Sequence, residues 1–148
     1  MPQFDYGKIG YQLNIDGKYY NNLDIEAFSL MMKNPSYCYK FYWLEAIVHL
    51  ISEGLKETSF NNIIDEMIAN AWYTVLEFHI HLSGMIEGRI KDGLERAIFT
   101  LQELSQLSGN ASKIEIKNKI KQYDKELTLY KDQITHMVPY RALSGFFD

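Results

Sequence analysis

From Ser36 to Met137 the apolar residues recur three and four positions apart in four successive runs. That period leaves room for little but amphipathic helices packed on one another. The first run is Tyr37, Phe41, Leu44, Val48, Ile51 and Leu55, which predicts a helix over 36–54 with its core stripe on those residues. Trp43, Ile47 and Leu50 widen the stripe, so this helix is expected to be central. Gly54 stands where a left-handed C-terminal cap would fall. The second run, over 59–82, is capped by Ser59 and carries Phe60, Ile64, Met67, Ala71, Val75, Phe78 and Leu82. Ser83-Gly84 is read as its end. Ile90, Leu94, Ala97, Ile98, Leu101 and Leu104 predict a third helix over 89–107.

The last run has the clearest start signal. Ser112 with Glu115 three residues on is a capping box, in which each side chain satisfies a free backbone N–H. Ile116, Ile120, Tyr123, Leu127, Tyr130, Ile134 and Met137 follow at spacings of four and three, predicting one helix over 113–137 that Val138-Pro139 stops. Such a seam suits a long antiparallel neighbour or a coiled coil. Residues 138–148 then form an apolar tail.

The first twenty residues differ. Tyr11-Gln12-Leu13-Asn14-Ile15 alternates in polarity, Asp16-Gly17 offers a two-residue turn, and Lys18-Tyr19-Tyr20 follows. A short β-hairpin over 1–20 is expected, then a short helix over 21–33 capped by Asn21 or Asn22 and stopped by Asn34-Pro35. At 148 residues the chain has the length of one domain. The fold class is therefore mainly α: a compact bundle of four to five helices with an N-terminal hairpin, residues 1–148 forming a single unit.

Composition excludes several functions. One cysteine rules out an intrachain disulfide and a cysteine-based zinc site, and fits a reducing cytoplasm. No apolar run approaches the ~18 residues of a membrane helix, so no membrane partner is expected. The four histidines, His49, His79, His81 and His136, include no i, i+4 pair, and no His-Glu-x-x-His run occurs, so no metal is assigned. Asp65, Glu66, Glu45 and Glu77 read as solvated faces, and Cys38 as an inert thiol without an activating neighbour. With no Walker loop and no Gly-x-Gly-x-x-Gly either, the chain is expected to be no enzyme and to need no cofactor.

Two features bear on nucleic acid. The helix, glycine, turn and Ser-capped helix over Lys40–Asn70 loosely suit a helix-turn-helix. The second of those helices, however, carries Asp65 and Glu66 and no Lys or Arg between Thr58 and Tyr73, which is wrong for facing phosphates. The other feature is a ribbon of Lys113, Lys117, Lys121 and Lys125 along the last helix. Residues 113–141 hold seven basic and four acidic groups, within a chain of net charge −4. The ribbon is either a phosphate contact or a solvated helix flank.

Three stretches carry a resemblance. Ser36-Tyr37-Cys38-Tyr39-Lys40-Phe41-Tyr42-Trp43, Met67-Ile68-Ala69-Asn70-Ala71-Trp72-Tyr73, and Val138-Pro139-Tyr140-Arg141 with Leu143-Ser144 and Phe146-Phe147 are similar, in order, to segments of bacterial HNH-endonuclease-domain proteins. Thr74 and Gly145 stand where that family commonly has Pro, and Ala142 where it has a large aromatic. The resemblance covers about 36–147 and implies an N-terminal helical region ahead of a nuclease motif. No histidine here follows an Asp, so it transfers no catalytic residue. It implies a non-catalytic domain serving DNA engagement, target recognition or assembly. The partners it leaves open are DNA, a second copy, or a downstream nuclease domain. The physics of the residues points equally to a dimerising or docking module. Its expected interface is Tyr123, Leu127, Tyr130, Ile134, Phe146 and Phe147.

Overall fold

The structure is a computed structural model and describes residues 23–33, 38–82, 85–86, 88–90 and 92–143. The hairpin expected over 1–20 lies outside them, as do Phe146 and Phe147. Among the described residues the chain is mainly helical, with six helices and one two-residue β-ribbon.

Helix α1 (Ile25–Lys33) is capped by Asp24, whose carboxylate accepts the Ala27 N–H at 2.9 Å; Asn21 and Asn22, the expected caps, lie outside the described residues. It buries Ala27 and Met31, one turn apart. Helix α2 (Tyr39–Ser52) ends in a Schellman arrangement. There the Leu55 N–H donates to Leu50 O at 3.1 Å and the Gly54 N–H to Ile51 O at 2.9 Å. Gly54 has φ 86°, which glycine adopts without a Cβ penalty.

The face of α2 is the first correction. It buries Tyr39, Trp43, Ala46 and Leu50, whereas Phe41, Val48 and Ile51 of the forecast stripe stay 46%, 58% and 63% exposed. Both faces are apolar, so periodicity alone left the choice open. Small Ala46, fully buried, permits close packing on the inner side, and Trp43 supplies the larger contact area.

Helix α3 (Phe60–Leu76), not α2, is central. Ser59 caps it by accepting the Asn62 N–H at 3.2 Å. It buries residues on nearly every side, including Ile64, Met67, Ile68, Ala71 and Trp72, and packs against α2, α4, α5 and α6. Trp72 Nε1 donates to Ser108 O at 3.0 Å, fastening a distant loop to this helix.

α3 stops at Leu76, six residues short of the expected end. From Glu77 to Leu82 polar and apolar residues alternate, a period of two that no helix face can use. A short ribbon follows, β1 (Met85–Ile86) against β2 (Arg89–Ile90), antiparallel with Met85 opposite Ile90. Gly88 at φ 70° makes its turn. Ile90 therefore belongs to a strand, and helix α4 (Gly93–Ser105) starts later than forecast. Asp92 caps it, accepting the Glu95 N–H at 2.8 Å. Gln106 closes α4 in the left-handed region.

The last forecast helix is two. The capping box of Ser112 and Glu115 opens α5 (Lys113–Gln122) as expected. Tyr123 (φ −108°, ψ 27°) then breaks the helical path before α6 (Asp124–Ala142). The break lets the halves take different neighbours: α5 lies mainly on α3, while α6 lies on α4, α2 and α3. Pro139 does not end α6, which continues to Ala142 with Val138 and Pro139 buried. A proline removes one helical N–H, a small loss so close to the C-terminus.

Leu127 is fully buried and Leu129, on the same helix, is 61% exposed. Leu127→Ala is therefore expected to cost about 2–5 kcal/mol. Leu129→Ala should stay within about 0.5 kcal/mol. Urea denaturation of the two variants checks the direction in which α6 faces.

Candidate functional site

Three polar clusters and one apolar face stand out, and the clusters begin with a buried carboxylate. Glu66 sits in the middle of α3 with no exposed surface. A carboxylate there requires compensating charge. Lys113 Nζ, from the first turn of α5, lies 2.6 Å from Glu66 Oε2. Lys117 Nζ, one turn later, is bonded to Oε1. From α2, His49 Nδ1 stands 3.4 Å from Oε2 and 3.7 Å from Glu53 Oε1. Burial alone would raise the Glu66 carboxyl, but the hydrogen bonds and charges of Lys113 and Lys117 hold it below the usual carboxylate value.

This cluster changes the reading of two groups. Glu66 is no solvated acid, and half of the lysine ribbon is engaged inside the fold. Lys121 and Lys125 remain exposed. His49, Glu53 and Glu66 each bring a ligand atom within 4.8 Å of the others. Two ammonium groups already neutralise the only buried carboxylate of that set, so a divalent cation would have to displace them.

A second buried pairing joins α6 to α3. Lys131, itself buried, places Nζ 2.6 Å from Asp65 Oδ1 and 2.5 Å from Asp124 Oδ1. Burial pushes the Asp65 carboxyl up, with the Lys131 hydrogen bond opposing it. Asp65, too, is removed from the solvated face expected of it.

The third cluster lies where α4 begins. Buried Glu95 receives His81 Nδ1 at 2.6 Å on Oε1 and the Leu82 N–H at 3.2 Å on Oε2. Asp92 is buried beside it. Burial raises its carboxyl against hydrogen bonds from the Tyr39 hydroxyl and the Glu95 and Leu94 N–H groups. His79, two residues before His81, has φ 52°. The cluster fixes the irregular segment after α3 onto the α4 N-terminus. His81, 41% exposed at its side chain, is its outer member.

The expected interface on the last helix is largely internal. Leu127 and Ile134 are fully buried, and Tyr123 and Tyr130 are half-buried against the same core. The Arg96 guanidinium lies 5.0 Å above the Tyr130 ring. The correction has a simple cause: α6 packs on α4, α2 and α3 within the chain, so its seam is used there.

The outer side of α2 is an uncovered apolar face among the described residues. Phe41, Val48 and Ile51 are exposed there, with half-buried Leu44 among them and exposed Leu55 just beyond the helix. Phe60, at the start of α3, is also exposed, its ring 5.7 Å from Trp43 on the inner side of α2. A row of large apolar side chains facing water is the kind of surface that contacts another protein.

Because the folded Glu66 pKa lies below its unfolded value, the unfolded chain takes up that proton first as pH falls. The stabilisation from its ion pairs is whole above the unfolded pKa, about 4.3, and is lost as pH drops through the folded one. Asp65 and Asp92 have the opposite sign. Their folded pKa values are raised, so their contribution is present below the unfolded value and lost as pH rises through the folded one. Glu66→Gln should cost about 1–3 kcal/mol at neutral pH, at the low end because both lysines can turn to water. It should also remove part of the acid-side loss seen in urea midpoints between pH 7 and pH 3. Compared with protein-family models, curated proteins and solved structures, the chain matches none.

Proposed function

We propose that this chain is the non-catalytic N-terminal domain of an HNH-nuclease-like bacterial protein and acts as an assembly module, holding another helix against the outer face of α2. The observation that carries the reading is the exposed row of Phe41, Val48 and Ile51, on a helix whose opposite side is already packed. The family assignment rests on the three resembling stretches. Residues from each of them, Trp43, Trp72 and Val138, meet in one core, which their aromatic and apolar character serves. No helix among the described residues is long and apolar enough to cross a membrane.

DNA engagement is the second reading, favoured by the exposure of Lys121 and Lys125. It is weaker because Lys113 and Lys117 answer Glu66 and the chain carries a net charge of −4. Neutralised lysines release few counterions from a duplex.

Fluorescence anisotropy with a labelled duplex at low salt separates the two. The expected result is no salt-sensitive binding, and no change in Lys121→Glu/Lys125→Glu. Binding that weakens steeply with salt and is lost in that double variant would overturn the assembly reading in favour of DNA.

A further inference from the structure

A groove between the start of α4 and the middle of α6 holds a cation that the fold leaves without an anion. We infer that this groove binds a small organic carboxylate, its carboxylate held by Arg96 and its apolar body lying against Met137. The site shares no residue with the assembly face of α2, and neither reading depends on the other.

The groove encloses about 600 Å³, within the range of small-molecule sites. Gly93 and Arg96 of α4 line it on one side, and Gln133, His136 and Met137 of α6 on the other. Those three α6 residues are three and four positions apart, so they share one helix face. Gly93 keeps the groove open. A Cβ there would stand 3.3 Å from Ile134 Cγ1 and 3.8 Å from Gln133 Oε1. Glycine therefore lets the two helices approach closely and leaves the space between them without a side chain from that position.

Arg96 is the charged member. It is half-buried, and its guanidinium lies 5.0 Å above the Tyr130 ring, a contact that anchors the group and supplies no oxygen acceptor. On a helix the ordinary partner for such a residue is an acid one turn away. Asp92 holds that position, but it is buried and accepts from the Tyr39 hydroxyl and the α4 backbone. Glu95, the next acid, is turned inward to His81 and the Leu82 N–H. Among the described residues no carboxylate pairs with Arg96. The cluster that starts α4 has taken both neighbouring acids, and the guanidinium is left facing the groove.

The chemistry of the lining selects the ligand. A planar fork of N–H donors matches the two oxygens of a carboxylate, and the pair is both bidentate and charge-assisted. The Gln133 amide and a His136 ring N–H offer further donors from the facing helix. Among the described residues Arg96 is the one permanent cation of the lining, which suits a monoanion better than a phosphate dianion. Met137, half-buried, gives the body of the ligand an apolar wall.

The test is an amide NMR titration of the full nitrogen-labelled chain. Benzoate is the probe, benzyl alcohol its neutral analogue, and inorganic phosphate at matched ionic strength the competing anion. Benzoate should shift the Gly93 amide and the Arg96 and Gln133 side-chain N–H signals saturably, with a Kd of about 1 mM for so small a probe. Benzyl alcohol and phosphate should give no saturable shift there. Arg96→Gln should raise the benzoate Kd about tenfold or more, and Arg96→Lys, which keeps the charge but not the fork, should also weaken binding. Gln133→Leu, at an exposed position, should weaken it by about two- to tenfold. Should Arg96→Gln fail to fold in a thermal melt, Arg96→Lys and Gln133→Leu carry the same comparison.

Benzoate that shifts none of these signals saturably overturns the site. A shift that phosphate reproduces, or that the Arg96 and Gln133 variants leave unchanged, is an adventitious contact only and overturns it equally. Neither result bears on the assembly face of α2.

Discussion

A carboxylate with no contact to water sits in the helix that the main helices of the bundle surround, and much of the architecture follows from neutralising it. Glu66 occupies a helix buried on nearly all sides, so its charge is met from α5 by Lys113 and Lys117, with His49 of α2 standing 3.4 Å away. The neighbouring Asp65 draws Lys131 from α6 into the interior by the same logic. These pairings specify which helix lies against which side of α3, a selection that apolar contact makes poorly because it is non-directional. Breaking either pairing from one side leaves a buried charge unanswered, which is where the penalty arises.

The split between α5 and α6 belongs to the same arrangement. A straight helix over 113–142 would have to serve α3 with its first half and α4 with its second along a single line. Tyr123 leaves the helical region, and each segment then turns toward its own neighbour. Asp124 lies in the first turn of the new helix, where a negative charge is favoured, and also reaches Lys131 two turns on. The break therefore coincides with a new helix start and with an ion pair to buried Lys131.

The division of labour on α2 bears most directly on function. Its inner side completes the core, and its outer side repeats nearly the same apolar period without a partner among the described residues. In the resembling stretches Tyr39, Trp43 and Trp72 are buried in the core, whereas Phe41, Tyr73 and Tyr140 are exposed. Trp72 is also hydrogen-bonded to the loop before α5. The polar clusters are likewise occupied with holding elements together, which leaves an apolar contact surface as a feature with no structural use inside the fold.

Local signals in the sequence were enough to determine the helical class, the Ser59 cap, the Ser112–Glu115 capping box and the Gly54 ending, because each depends on residues within a turn of one another. The alternation over Glu77–Leu82 was also legible as the end of α3, had the period of two been weighed against the apolar spacing across it. What the sequence could not decide was which of two apolar faces of α2 turns inward, that Glu66 is buried, that Lys113 and Lys117 answer it, or that Leu127 and Ile134 are core. Those outcomes depend on residues far apart in the chain; Lys117, for example, lies 51 positions from Glu66. Helical period states only that a stripe will be covered, and the covering element is chosen by tertiary packing, where volume and charge must be satisfied together.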